Sequence, residues 1–188
     1  RRLVTWMLLL AAIAVGIVAT PSRADEPVDV SIESLTPQLL DRSQPDQLIT
    51  ITGTVRNNTD QVVENASVHF WRSTRPITEH AELEQVLTSG AAQPQGSRVT
   101  NSKENYQDLG ELPPGVSVKF TVSATAGELT LSSRTDAVYL LGALVRSNSS
   151  AQGPRNVGRG RAFAVAAKKP LQVSTIVKLA TRPTLLDN

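Results

Sequence analysis

Residues 49–71 read ITITGTVRNNTDQVVENASVHFW, which is two alternating runs separated by a polar segment. In the first run apolar residues alternate with threonines, the period-two pattern of a half-buried β-strand. In the second run Val68 and Phe70 share one phase, and His69 and Trp71 share the other. The intervening NNTD segment is rich in turn-forming residues. The stretch predicts a β-hairpin at the centre of a two-sheet core.

Four further segments show strand patterns. They are VDVSIESL (28–35), VSVKFTVSA (116–124), AVYLLGALVRS (137–147) and GRGRAFAVAA (158–167). The first ends at Thr36-Pro37 and is predicted to be an edge strand, because proline cannot donate to a sheet ladder. The third is apolar on both faces, which predicts a central strand that is covered on each side.

Single residues refine this prediction. Gly53 interrupts an apolar phase, which indicates a bulge or a close approach of two backbones. The LPPG sequence at 112–115 is typical of a type II turn, since proline presets φ and glycine accepts a positive φ. Tyr139 stands at the entrance to the most apolar strand, where a tyrosine corner is expected.

An insertion separates the strands before and after residues 76–107. PITEHAELEQVL (76–87) places Leu83, Val86 and Leu87 at helical spacing and predicts a short helix. SGAAQPQGSRVTNSKENYQ (89–107) has almost no apolar residues and predicts a mobile surface loop. The predicted fold class is all-β: an antiparallel immunoglobulin- or fibronectin-like β-sandwich over residues 25–167, with this helix-bearing insertion.

The N-terminal segment has the features of an export signal. Arg1 and Arg2 precede an apolar run over residues 3–18, and Ser22-Arg23-Ala24 matches the small-residue pattern read by signal peptidase. Cleavage is predicted between Ala24 and Asp25, which makes residues 1–24 a signal peptide. The alternative is an uncleaved helix that anchors the chain in the membrane. Either reading predicts an exported, extracytoplasmic protein, and retention of the segment predicts that it is membrane-associated.

The C-terminal segment, residues 168–188, begins with Lys-Lys-Pro and then shows a new apolar alternation. We expect a linker and the first strand of a missing downstream domain, in a chain that is a fragment of a longer protein. The alternative is an additional edge strand of the same sandwich.

Composition excludes several chemistries. The 188 residues contain no cysteine, so disulfides, thiol nucleophiles and cysteine metal sites are absent. The net charge of +2 is spread along the chain, so no nucleic-acid partner is predicted. Arg155, Arg159 and Arg161 form the densest basic cluster, which is predicted to be a solvated turn, with a basic contact patch as the alternative.

No catalytic, cofactor-binding or metal-binding residue is predicted, and no cofactor is expected. The chain has two histidines, His69 and His80, which are expected to lie apart as surface or hydrogen-bonded residues. The carboxylates of the predicted helix are interpreted as its solvated face: Glu79, Glu82 and Glu84. No nucleophile-elbow, zincin, P-loop or dinucleotide motif is present in the sequence.

Two aromatic residues are candidate stacking groups for a sugar or peptide. Of these, Tyr106 is expected to be exposed, whereas Trp71 is expected to be buried against the insertion, because aromatic residues make up only 4% of the chain. Three N-x-S/T sequences are interpreted as turn asparagines rather than glycosylation sites. They begin at Asn57, Asn65 and Asn148.

The quoted strand pair, together with LGELPPGVSVKFTVSA and AVYLLGALVRS, resembles a known module. It looks like the N-terminal immunoglobulin-like module of a family of large uncharacterised exported cell-envelope proteins in mycobacteria and related actinobacteria. The similarity extends from Val28 to Ala167. It implies a longer protein with a second extracytoplasmic domain, a C-terminal membrane helix and a role in envelope or cell-wall assembly, beside the lipid-linked precursor flippase.

Three functional hypotheses follow. The first is a non-catalytic binding or spacer module that contacts an envelope protein or a cell-wall glycan. The second is an accessory module of an envelope enzyme whose catalytic domain lies beyond residue 188. The third, a secreted metal or ligand carrier, is disfavoured because the chain has no cysteine, one methionine and two distant histidines.

Overall fold

The computed structural model describes residues 26–41, 43–73, 75–88, 96–132 and 137–166. The described residues form nine strands, a helix and a 3₁₀ turn at Lys103–Asn105. The strands are β1 Val28–Thr36, β2 Leu39–Leu40, β3 Leu48–Asn57, β4 Val63–Arg72, β5 Ser97–Arg98, β6 Tyr106–Leu112, β7 Ser117–Thr125, β8 Ala137–Ser149 and β9 Gly153–Ala166, and helix α1 is His80–Thr88. The predicted signal segment and C-terminal linker lie outside the described residues. In the described ranges, no helix has the length and apolar character needed to cross a membrane.

The strands form two sheets. The first sheet has the order β1-β3-β7, with β1 at an edge as predicted. The second has the order β2-β9-β8-β4, and the far side of β4 pairs with both β6 and β5. All pairings are antiparallel except that of β2 with β9, which is parallel. The prediction of a purely antiparallel fold is therefore wrong at this edge, where the chain leaves β1 and joins the second sheet.

The predicted hairpin of β3 and β4 is wrong. These strands lie in different sheets, since β3 pairs with β1 and β7 while β4 pairs with β8, β5 and β6. The fully buried Asn57 stabilises the crossing: its Nδ2 donates to the carbonyl oxygens of Gln61 and Leu112 at 2.7 and 2.8 Å. Alternation reports which face of a strand is buried, but it does not report which strand is its partner.

The core lies between the sheets and is built from the predicted apolar phases. In each strand every second residue points inward, so the buried set contains few aromatic residues and many β-branched ones. Among its largest fully buried side chains are Ile49, Ile51 and Val55 of β3, Val68 and Phe70 of β4, Val122 of β7, and Tyr139 and Leu141 of β8. The predicted alternation of β3, β4 and β7 is confirmed.

The special residues behave as predicted. A Cβ at Gly53 would overlap the Ser31 carbonyl oxygen and lie 2.8 Å from the Phe120 ring, and the partner strand β1 bulges opposite it, between Ile32 and Ser34. Gly115 has φ of +72°, and the amide of Val116 donates to the carbonyl of Pro113 at 3.2 Å, which closes the turn.

Tyr139 is fully buried, and its hydroxyl donates to the carbonyl oxygen of Ser132 at 3.1 Å. This hydrogen bond returns to the backbone seven residues upstream, as a tyrosine corner does. The prediction for Tyr139 is confirmed.

Helix α1 lies over the outer face of the second sheet. Trp71, Leu140 and Leu144 form a second buried cluster there, against which Val86 of α1 and Phe163 of β9 pack. Strand β8 is therefore covered on both faces, as its sequence predicts. The burial of Trp71 against the insertion is also confirmed, with 1% of its surface exposed.

Two segments depart from the predictions. Residues 96–107 are not a loop without structure: they form β5, the 3₁₀ turn and the start of β6, and the buried Asn105 accepts hydrogen bonds from the amides of Asn101 and Ser102 at 2.8 Å. The basic cluster is not a turn, because it lies within β9, where Arg159 is buried. In both segments the backbone hydrogen bonds to neighbouring strands determine the strand structure, because polar side chains do not prevent this pairing.

Candidate functional site

The outer face of the second sheet carries a polar cleft of about 410 Å³ beside the end that α1 covers. The cleft is lined by Asn65, Ser67 and His69 of β4, Tyr106 and Asp108 of β6, and Arg146 and Asn148 of β8. We call it the outer cleft. Its three strands are neighbours in the sheet, so the lining is set by the strand register.

The register explains why these side chains meet. Ser67 lies opposite Arg146 of β8 on one side and opposite Asp108 of β6 on the other. Two residues further along β4, on the same face, His69 lies opposite Tyr106. Residues directly opposite each other in an antiparallel pair share a face and lie about 5 Å apart, which brings this polar group together.

An aromatic pair forms one wall of the outer cleft. The rings of His69 and Tyr106 are stacked with centroids 5.7 Å apart and an interplanar angle of 24°. A hydrogen bond of 3.0 Å joins His69 Nε2 and Ser67 Oγ, which fixes the imidazole. Tyr106 is 50% exposed, as predicted, and His69 is half-buried and hydrogen-bonded.

The charge in this region comes from two arginines. Burial, together with the positive charges of Arg98 and Arg146, lowers the pKa of His69 to about 4. The pKa of Arg98 is also lowered, first by burial and then by Arg146. At neutral pH the histidine is therefore uncharged, and the two guanidinium groups carry the positive charge beside it.

Arg98 and Arg146 have no carboxylate partner among the described residues. The ion pair that those residues do form is distant: His80 Nε2 and Glu84 Oε1 of α1, 3.2 Å apart and exposed. The two arginines form no ion pair among those residues, and their two positive charges exceed the single negative charge of Asp108 across Ser67, so the region is a favourable position for an anion.

Arg159 and Arg161 share this sheet face but have structural roles. The Arg159 guanidinium lies 4.8 Å from the ring centroid of Trp71, and burial lowers its pKa. Arg161 donates to the Val86 carbonyl oxygen at 3.2 Å, in the last turn of α1, which contains no basic residue. Arg161 thus ties the helix to the sheet and places a cation at the helix C-terminus, where it is favourable, and Arg159 packs on the Trp71 ring that the helix covers.

The other residues singled out in the sequence lie elsewhere. His80, Glu79 and Glu84 are exposed at the start of α1, and Glu82 is half-buried in it. The described residues contain no group of three or more histidine, aspartate or glutamate side chains that could hold a metal ion. The predicted cleavage site at Ala24 and Asp25 lies outside the described range.

The three asparagines of the N-x-S/T sequences have different environments. Asn57 is buried at the crossing between the sheets. Asn65 has a positive φ of 45°, and its Nδ2 donates to the carbonyl oxygen of Asn148 at 3.0 Å. Asn65 and Asn148 thus close one end of the outer cleft.

Sequence reasoning identified Tyr106 as a candidate stacking group, assigned no function to His69 and missed the two arginines. Arg146 occupies the outward phase of β8, so its position was readable from the alternation. Arg98 was not, because its segment carries no strand pattern and is held in place by pairing with β4. The outer cleft is therefore a product of the register rather than of a motif.

Comparison with known proteins identifies the family of this chain. The protein-family model described as "Family of unknown function (DUF6049)" matches residues 3–180, which is most of the chain. The chain belongs to this family. No curated protein is significantly similar to this DUF6049 chain.

Several solved structures are weakly similar to this chain. Spo0M, a sporulation control protein from Bacillus subtilis, has a TM-score of 0.39 and 10% identity over 76% of this chain and 50% of that one. β-Glucuronidase 2 of Bacteroides uniformis has a TM-score of 0.37 and 12% identity over 74% of this chain and 13% of that one. A cycloisomaltooligosaccharide glucanotransferase from Paenibacillus sp. has a TM-score of 0.37 and 12% identity over 76% of this chain and 15% of that one. The chain thus spans half or less of these structures, and similarity at this level carries no functional information.

Proposed function

We propose that this chain is a non-catalytic, immunoglobulin-like binding module of an exported, membrane-associated cell-envelope protein, and that it binds a cell-wall glycan. The observation that carries the proposal is the outer cleft, in which the exposed ring of Tyr106 and the guanidinium of Arg146 line one surface, with Arg98 close enough to act on both His69 and Arg146. Rigid aromatic side chains and arginines are the groups that anchor binding in most recognition sites.

The strand order supports the immunoglobulin-like part of the proposal. In that fold the first, second, fourth and fifth strands share one sheet, and the third, sixth and seventh share the other. If β2, β5 and β6 are treated as additions, β1-β3-β7 correspond to the first, second and fifth strands and β9-β8-β4 to the seventh, sixth and third, and the fourth strand has no counterpart among the described residues. The tyrosine corner of Tyr139, near the start of β8, is in the corresponding place.

The N-terminal sequence supports export. A basic start, an apolar run and small residues before Ala24 are the three parts of a secretory signal. The resemblance to exported envelope proteins points in the same direction. Membrane association then depends on retention of this segment or on a membrane helix elsewhere in a longer protein.

A catalytic role is the competing reading, because the hydrogen bond between Ser67 and His69 resembles a nucleophile and its base. Two observations weigh against it. A pKa of about 4 makes His69 a weak base at neutral pH, far from the value that general-base catalysis favours. The nearby Asp108 uses Oδ1 to accept the Gly110 amide at 2.9 Å.

Co-sedimentation tests the proposal. The full chain, purified in mild detergent, is mixed with insoluble cell-wall preparations, and the pelleted fraction is measured with and without added salt. We expect the chain to pellet, and the double variant Arg98→Ala/Arg146→Ala to lose most of this binding.

The matched control is Arg56→Ala/Lys119→Ala, which removes the same charge from exposed positions on the first sheet. The control is expected to pellet like the parent. If the parent stays in solution, or if both double variants pellet equally, the binding role at the outer cleft is contradicted. Mass spectrometry of the chain expressed in an actinobacterial host tests export, because cleavage produces a new N-terminus at Asp25.

A further inference from the structure

We infer that the outer cleft recognises a sugar unit that carries a carboxylate, with Tyr106 stacked on the sugar ring and Arg146 and Arg98 paired with the carboxylate. This inference rests on the proposed function and specifies its ligand. It follows from three features of the cleft: the ring, the charge and the polar lining.

The ring of Tyr106 is a ready stacking surface. One of its faces lies against the imidazole of His69, yet half of the residue remains exposed. The hydrogen bond from Ser67 to His69 holds the supporting ring in place. A ring that is fixed before binding loses little conformational entropy when a ligand stacks on it.

The charge selects an anionic ligand. His69 is neutral, so the positive charge next to the ring belongs to Arg98 and Arg146 alone. Their guanidinium groups are planar and can bind a carboxylate through two parallel hydrogen bonds. Because Arg146 lines the cleft in which Tyr106 lies, one ligand can contact both groups.

The lining favours a sugar over an acidic peptide. Besides Tyr106, His69, Arg146 and Pro154, the cleft presents hydroxyl, amide and carboxylate groups, from Ser67, Asn65, Asn148 and Asp108. Asp108 can accept hydrogen bonds from sugar hydroxyl groups, whereas it would repel a ligand with many negative charges. A peptide is held by pairing with a strand edge or by apolar side-chain pockets, and this cleft lies on a sheet face with a polar lining. Its volume of about 410 Å³ is in the usual range of small-ligand sites.

A matched pair of polymers tests the inference. Binding of the full chain in mild detergent to immobilised polyglucuronate is measured by interferometry and compared with the same polymer after reduction of its carboxyl groups to alcohols. We expect polyglucuronate to bind about tenfold or more tightly than the reduced polymer. The double variant Arg98→Ala/Arg146→Ala is expected to lose this preference, while Arg56→Ala/Lys119→Ala keeps it.

Variants at Tyr106 separate stacking from simple charge attraction. Tyr106→Ala is expected to weaken polyglucuronate binding about tenfold, and Tyr106→Phe, which keeps the ring, to change it less than about threefold. Thermal unfolding of each variant verifies the fold, and Arg146→Gln replaces Arg146→Ala if the latter fails to fold.

Polyglutamate supplies the opposing outcome. If it binds as tightly as polyglucuronate, or if Tyr106→Ala binds like the parent, the surface is a non-specific anion site and the inference is overturned. If the parent pellets with cell walls but does not bind polyglucuronate, the inferred ligand class is wrong and the binding role stands. If the parent binds neither cell walls nor polyglucuronate, the proposed function fails as well.

Discussion

At the scale of single residues, His69 connects the chemistry of the cleft to stability. Its imidazole is half-buried between Tyr106 and two arginines, which favours the neutral form. The sequence indicated an outward-facing histidine on β4, and this is confirmed. The sequence could not show which residues surround His69, because Arg98 and Arg146 lie 29 and 77 residues downstream of it in the chain.

Acidification is predicted to destabilise the fold through His69. The pKa is about 6.5 in the unfolded chain and about 4 in the folded one. The unfolded chain therefore binds the proton first, so the stabilisation is complete above about pH 6.5 and is lost as the pH falls towards 4. After allowance for solvent exposure, the loss is on the order of 1 kcal/mol.

Thermal unfolding at several pH values between 7.5 and 4.5 measures this effect. His69→Gln is expected to show a shallower decline in Tm than the parent, and His80→Gln, at an exposed position of α1, to follow the parent. Equal slopes for the parent and His69→Gln would contradict the assignment. Asp108, Arg98 and Arg146 remain in all three proteins, so their own contributions to the change of Tm with pH cancel in the comparison.

At the scale of elements, α1 is the part of the insertion that the sequence predicted best. The spacing of Leu83, Val86 and Leu87 indicated a helix, and a helix is present at His80–Thr88. The buried face of the helix is narrower than the sequence predicted, because Val86 contacts the Trp71 cluster whereas Leu87 is 59% exposed. Strand β6 was missed because YQDLGEL has no clear apolar phase and is held by backbone hydrogen bonds to β4.

Adjacent positions in α1 provide a test of how the helix is held. Val86→Ala removes two methyl groups from the contact with the Trp71 cluster and is expected to lower the free energy of unfolding by about 1 kcal/mol. Leu87→Ala, at the next and exposed position, is expected to change it by less than about 0.5 kcal/mol. Urea unfolding followed by circular dichroism measures both, and a larger effect at Leu87 would show that the helix packs through its other face.

At the scale of the whole molecule, the two sheets are joined where β3 passes to β4. Asn57 uses all of its side-chain hydrogen-bonding groups here: Nδ2 donates to Gln61 and Leu112, and Oδ1 accepts from the amide and hydroxyl of Thr59. Leu112 belongs to β6 of the second sheet, so one buried side chain ties both sheets to the crossing.

Asn57→Ala is predicted to destabilise the whole fold. It leaves the buried Leu112 carbonyl and the partly buried Thr59 amide without this partner, each at a cost of about 1–3 kcal/mol, so we expect a loss of about 3 kcal/mol in the free energy of unfolding. The neighbouring Asn58 is exposed, and Asn58→Ala is expected to have little effect. Chemical unfolding of both variants provides the comparison, and similar stabilities would exclude a special role for Asn57.

The sequence by itself determined which residues of β3, β4 and β7 face the core, that β8 is covered on both faces, the LPPG turn, the corner at Tyr139 and the presence of α1. These features depend on contacts close in the chain or on one strand's own periodicity. Only the tertiary structure decided that β3 and β4 occupy different sheets, that β2 pairs in parallel with β9, and that Arg98, Arg146 and Tyr106 surround His69. Those outcomes depend on strand register and on backbone hydrogen bonds, which are nearly independent of side-chain type and so leave little trace in a single sequence.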